Sequence, residues 1–163
     1  MNRALFLACC NSLRGDDGIA ILLARYIRNE FCEPQTEIQS LQQWTPELAE
    51  SISQSDIVLF LDASATLPPG QVHLKMIQPA RKFSSKMTHS ISPESLLALA
   101  VQLYSNAPER AFLLTIGGES FDHADRLSES VRSAIPHALD LIKAALSDVS
   151  LPDTAPNTHG AAS

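Results

Sequence analysis

The chain is short of cysteine, of basic charge and of long apolar runs, and each shortage closes off a class of protein. Its 163 residues contain three cysteines, Cys9, Cys10 and Cys32. An odd and partly adjacent set cannot make a paired framework, so these residues read as reduced thiols. Lys and Arg number 12 against 18 Asp and Glu, a net charge of −6. Phosphate binding needs a concentrated basic face, which scattered cations do not supply, so no nucleic-acid partner is expected. The nearest approach to a cluster is Arg81, Lys82 and Lys86, which reads either as a solvated loop or as a docking patch for an acidic partner. No apolar run reaches the roughly 20 residues that a membrane span requires. The opening MNRALFLACCN turns polar too early for a signal peptide. No membrane association is expected, and the expected location is the cytoplasm. There is also no His-Glu-x-x-His and no Gly-x-Ser-x-Gly, which speaks against a standard zinc peptidase or serine hydrolase.

What is present is 45% hydrophobic and 18% charged, with a mean hydropathy near zero. That profile fits one globular domain large enough to bury its own core, placed at residues 1–148. Residues 149–163 carry Pro152 and Pro156, small side chains and no periodicity, and read as a disordered tail.

Along the domain, strand and helix signals alternate. Residues 4–10 are a continuous apolar run, short enough for a strand buried on both faces. The loop NSLRGDDG follows, and from Ile19 the positions Ile19, Leu22, Leu23, Tyr26 and Ile27 take helical spacing. The pattern repeats with a short strand over 37–41, a helix opened by Thr45-Pro46-Glu47, and an apolar strand over 57–61 ending at Asp62. After Pro68-Pro69-Gly70, the alternation of Val72, Leu74 and Met76 reads as a half-exposed edge strand. Ser92-Pro93-Glu94 opens the next helix, with Leu96, Leu97, Ala100 and Leu103 as its buried face. Residues 112–116 form the last strand. Val131, Ile135, Leu139, Ile142 and Leu146 mark the final helix, which Pro136 should bend or delay. Alternating strands and helices predict an α/β fold, a three-layer sandwich with a mostly parallel sheet of about five strands flanked by helices.

In such a sheet, sites gather beyond the C-terminal ends of the strands. Asp17 follows the first strand, Asp62 ends the central one, and His89 precedes a helix whose loop reaches the same edge. Two carboxylates and an imidazole make a site for one divalent ion with positions left open. Each residue also has a plainer reading. Asp16 and Asp17 sit where helix caps belong, and Asp62 could form a turn. His89 competes with His73, His123, His137 and His159, of which His137 and His159 read as surface residues. Cys9 and Cys10, at the end of an apolar strand, read as small buried hydrophobes. A reactive thiolate would want a basic partner, and Arg14 is the only cation close in sequence. A dinucleotide-binding turn at 8–19 fails because its glycines are missing and two acids occupy the helix start where phosphate would bind.

Taken together the motifs resemble those of the hydrogenase maturation endopeptidases, which open with a Gly-x-Gly-Asn turn followed by Leu-x-x-Asp-Asp/Glu-Gly. Here the stretch reads Ala8-Cys9-Cys10-Asn11-Ser12-Leu13-Arg14-Gly15-Asp16-Asp17-Gly18. Further matches are Gln43-Trp44-Thr45-Pro46-Glu47, Asp56 through the strand to Asp62-Ala63, and His89-Ser90-Ile91-Ser92-Pro93-Glu94. The last are Thr115-Ile116-Gly117-Gly118-Glu119-Ser120-Phe121 and Arg126-Leu127-Ser128. Order and spacing hold over about residues 3–146. The resemblance implies a metal site of Asp17, Asp62 and His89, with Asp17 and Asp62 as the catalytic carboxylates. It implies a peptidase that recognises nickel already inserted in a hydrogenase large-subunit precursor and then removes the precursor's C-terminal extension; a monomer is expected. Nickel would thus arrive with the substrate, and no organic cofactor is expected. Two mechanisms stay open: the metal polarises the scissile carbonyl or activates water, or it serves as a recognition clamp while a carboxylate assists water. A non-catalytic nickel-sensing chaperone and a same-fold peptidase with another protein substrate are the alternatives. Two departures are plain. Cys9 and Cys10 replace the glycines of the opening turn, which bears on how substrate fits against it, and His123-Ala124 stands where relatives often have glycine.

Overall fold

The computed structural model describes residues 3–9, 15–31, 34–83, 91–121 and 126–147. His89, Cys10, Asn11, Arg14, Lys86, His123 and the tail at 149–163 lie outside the described residues.

The elements follow in the order β1 (Ala4–Cys9), α1 (Ile19–Glu30), β2 (Thr36–Leu41), α2 (Leu48–Ser53), β3 (Ile57–Ser64), β4 (Val72–Met76), α3 (Pro93–Tyr104), β5 (Arg110–Gly117) and α4 (Glu129–Leu146). They build a five-stranded sheet in the order β2-β1-β3-β5-β4. All pairings are parallel except that of β4, which runs antiparallel to β5 at the edge. This is the three-layer, mostly parallel architecture that the alternation predicts.

Strand pleating sorts the side chains into two cores. Ala4, Phe6 and Ala8 of β1 and Ile57, Leu59 and Leu61 of β3 pack with α1 and α4. Leu5, Leu7, Val58 and Phe60 face the other way, toward α2 and α3. Burial on both faces explains why β1 and the first part of β3 read as unbroken apolar runs. Phe6, Phe60 and Phe112 are wholly buried, and Trp44 meets Phe60 edge to face with centroids 5.3 Å apart.

Several local expectations hold. Ser92 caps α3, its side chain accepting from the Ser95 N–H at 3.2 Å, with Pro93 in the first helical position. Others are corrected. Helix α2 starts at Leu48 after a turn in which the carbonyls of Thr45 and Pro46 accept from Leu48 and Ala49, so Pro46 precedes the helix instead of lying in its first turn. Leu103 is 59% exposed, off the buried face given to it. Of the two effects expected of Pro136, a delayed start is not seen, since the residue lies inside α4. Without an N–H it cannot donate the usual helical hydrogen bond, a cost offset by a buried face that includes Val131, Ile135, Leu139 and Ile142.

Candidate active site

The strand order creates the crevice. From β1 the chain passes to β2 on one side, then crosses back to β3 on the other, so the connections after β1 and after β3 lead to opposite sides of the sheet. This is the switch point at which open α/β sheets bind ligands.

Asp62 stands at that crevice because β3 outruns β1. The last β1–β3 pair is Ala8 with Leu61, whereas β3 continues along β5 through Asp62–Thr115 and Ala63–Ile116 to Ser64–Gly117. Asp62 is therefore a strand residue beyond the last β1–β3 pair, and not the turn-former of the plainer reading. Pleating puts it on the α2/α3 face with Val58 and Phe60, the face covered by the helix that His89 precedes.

Asp17 reaches the crevice from the other side, in a 3₁₀ turn over Gly15–Gly18 that packs against β3. Gly15 opens the turn at φ 55, a left-handed conformation that strains residues with a Cβ. Neither acid is the N-cap of α1; that position is taken by Gly18.

Electrostatics link the two sites. Burial pushes the Asp62 carboxyl from its ordinary 3.8 up to about 6; the Ala63 N–H, bonded to Oδ1 at 2.9 Å, pulls it down, and the nearby Asp17 charge raises it further. Two carboxylates within electrostatic reach, one partly desolvated, form a pair that a cation would relieve. Among the described residues no group of three His, Cys, Asp or Glu side chains is assembled for a metal. His73 does not complete the pair: it lies across Thr115 from Asp62, two strands away, or roughly 10 Å.

Asp16 has a role that sequence reasoning missed. Its side chain is wholly buried. One oxygen accepts from the Glu119 N–H at 2.7 Å, the Ser120 N–H at 2.9 Å and the Ser128 hydroxyl at 2.8 Å, and the other from the Ser128 N–H at 2.6 Å. Burial alone raises its pKa, but the Ser120 and Ser128 backbone donors, the Ser128 hydroxyl and the Glu119 N–H together hold it below the ordinary value. Asp16 thus clips the turn bearing Asp17 to the β5–α4 connection. The network continues through Ser128 and Ser130 to Glu119, whose carboxylate accepts from the Ser130 hydroxyl at 2.8 Å. The partners lie more than a hundred residues from Asp16, and a contact of that span leaves no periodic trace. The available signal was that Gly118-Glu119-Ser120 and Ser128 fall within the same set of family motifs as Asp16.

Cys9 closes β1 and is half-buried, outside any disulfide. No helix among the described residues is long and apolar enough to cross a membrane.

No family model matches the sequence, and no curated protein does. Solved structures do match. The hydrogenase-maturating endopeptidase HybD from E. coli superposes with a TM-score of 0.67 at 23% identity, over 88% of this chain and 91% of that one. The hydrogenase 2 maturation peptidase from a Thaumarchaeota archaeon gives a TM-score of 0.65 at 24% identity, over 88% and 97%. The NiFe hydrogenase maturation protease HycI from Thermococcus kodakarensis gives 0.67 at 17%, over 89% and 92%. The chain has the fold of the hydrogenase maturation endopeptidases, over most of its own length and nearly all of theirs.

Proposed function

We propose that the chain is an endopeptidase that recognises nickel in a hydrogenase large-subunit precursor and removes the precursor's C-terminal extension. The observation that carries this reading is the pairing of Asp17 and Asp62 at the switch point, where burial, with repulsion from the nearby Asp17 charge adding to it, raises the Asp62 carboxyl to about 6. A divalent ion arriving on a substrate relieves that repulsion, which makes the pair a reader of metallated over unmetallated precursor. Carboxylate oxygens with the His89 imidazole as third donor suit a borderline ion such as nickel. His89 immediately precedes the segment that opens α3 on the Asp62 face.

Peptide hydrolysis then needs water delivered beside the docked ion. A carboxylate of the pair can take a proton from attacking water. The oxygen adds to the scissile carbonyl carbon and the proton passes to the leaving amine. The cut releases the extension and leaves the nickel with the precursor. That the structural neighbours are peptidases of hydrogenase maturation supports the same reaction class here.

The test is incubation with nickel-loaded and nickel-free precursor, read by intact mass. The expected result is a shortened product from the nickel-loaded form only. Binding without shortening would identify a nickel-sensing chaperone instead, and equal cleavage of both forms a peptidase with different recognition.

A further inference from the structure

A groove of about 400 Å³ lies between α3 and the segment that follows β4, and its lining includes neither Asp17 nor Asp62. One wall is the segment 79–83 that follows β4; the other is formed by Ala98, Val101 and Gln102 of α3. Phe83 and Ala98 give it an apolar floor, while Val101 is 43% exposed. The same end of the helix leaves Leu103 and Tyr104 open to solvent, so α3 presents its last turn as an apolar surface that nothing in the described chain covers. Exposed apolar surface beside cations marks interaction sites more often than plain solvated faces.

Charge selects the occupant. The chain carries 18 acids against 12 basic residues, yet this groove has Arg81 and Lys82 on its wall and no carboxylate in its lining. Both cations are exposed, and neither takes part in an ion pair among the described residues. We propose that the groove is an exosite for the protein substrate: it docks a segment of the precursor that presents an apolar side chain flanked by carboxylates. This rests on the endopeptidase reading and adds a second contact to it. A protease that acts on one protein gains selectivity from such a second contact, and because α3 begins at Pro93, four positions after His89 in sequence, the docked segment binds the helix that leads out of the catalytic edge.

The experiment uses the full chain and the nickel-loaded precursor, with precursor affinity and cleavage kinetics measured separately. Arg81→Glu with Lys82→Glu reverses the charge of the wall at exposed positions. Arg25→Glu with Arg28→Glu, on the exposed face of α1, makes the same change of net charge elsewhere. The expected result for the groove variant is an affinity weaker by about tenfold, two rim charge pairs lost. KM should rise in parallel with kcat unchanged, and the increase of KM with salt should disappear or reverse sign. The α1 variant should match wild type, and Val101→Ser should weaken binding without changing the salt dependence. Equal affinities and KM values in the two charge-reversal variants overturn the exosite while leaving the endopeptidase reading intact. Groove-dependent binding without any cleavage sinks the endopeptidase reading and upholds the docking surface. A wild-type dimer that the groove variant dissociates would assign the surface to a second copy and overturn the proposal.

Discussion

In metal-free protein, Asp62→Asn should raise stability at neutral pH. The Asp62 carboxyl rises from 3.8 to about 6 on folding, so the folded state holds a proton that the unfolded chain gives up. Ionising it costs the folded state free energy, and this cost is absent below pH 3.8, grows as pH rises toward 6, and is complete above it. A rise of that size, felt in full, is about 3 kcal/mol. The side chain sits at a partly open edge, where solvent screening leaves about 1–2 kcal/mol. Asparagine keeps the shape and an oxygen for the Ala63 N–H while removing the charge. Urea unfolding of the two proteins between about pH 4.5 and 8, with chelator present, measures the difference. The variant should gain on wild type as pH rises and lose that advantage toward acid pH. A variant less stable than wild type at pH 8, or an advantage independent of pH, would refute the desolvated-pair reasoning.

Asp16→Asn should behave in the opposite way. It places an amide among four donors, and loss of a buried, charge-assisted network should cost about 3 kcal/mol. Because the Asp16 pKa is lowered on folding, its stabilisation is present above the ordinary carboxyl value and is lost only as pH falls through the folded one. The deficit should therefore stay constant from about pH 5 to 8 in the same unfolding series. Gly117→Ala should lower stability by about 2–4 kcal/mol in thermal melts, because a Cβ there runs into the backbone carbonyls of Pro68 and Leu67. A melting temperature within a degree of wild type would show that the 67–68 segment yields. The double variant Cys9→Ala, Cys10→Ala should still cleave precursor, with packing losses of about 1 kcal/mol per site. Abolished cleavage in a folded variant that binds precursor would make a thiol the nucleophile.

Parts of this molecule were legible in the sequence for identifiable reasons. Strands β1 and β3 are buried on both faces, which writes them as continuous apolar runs, and Asp62 stands out as the acid after one of them. The helices were legible where packing follows the 3.6-residue period, as for Ile19, Leu23 and Ile27 of α1. The misses have physical causes too. Residues 62–64 extend β3 because β5 supplies hydrogen-bonding partners to a polar strand end, which hydrophobic pattern cannot reveal. Leu103 has the spacing of a core residue but lies on the last turn of α3, where no other described element covers it. Asp16 and Asp17 are neighbours of the same type, and only the fold separates a buried clip from a residue at the crevice.

The most direct test of the central claim is calorimetric titration of Ni²⁺ into the wild-type protein and into Asp62→Asn at about pH 7.5, with His89→Ala as a third sample. Wild type should bind one equivalent, each variant should bind at least about tenfold more weakly, and the wild-type site should weaken as pH falls through the titration range of histidine at about 6.5. Unchanged affinity in a folded Asp62→Asn variant would contradict it.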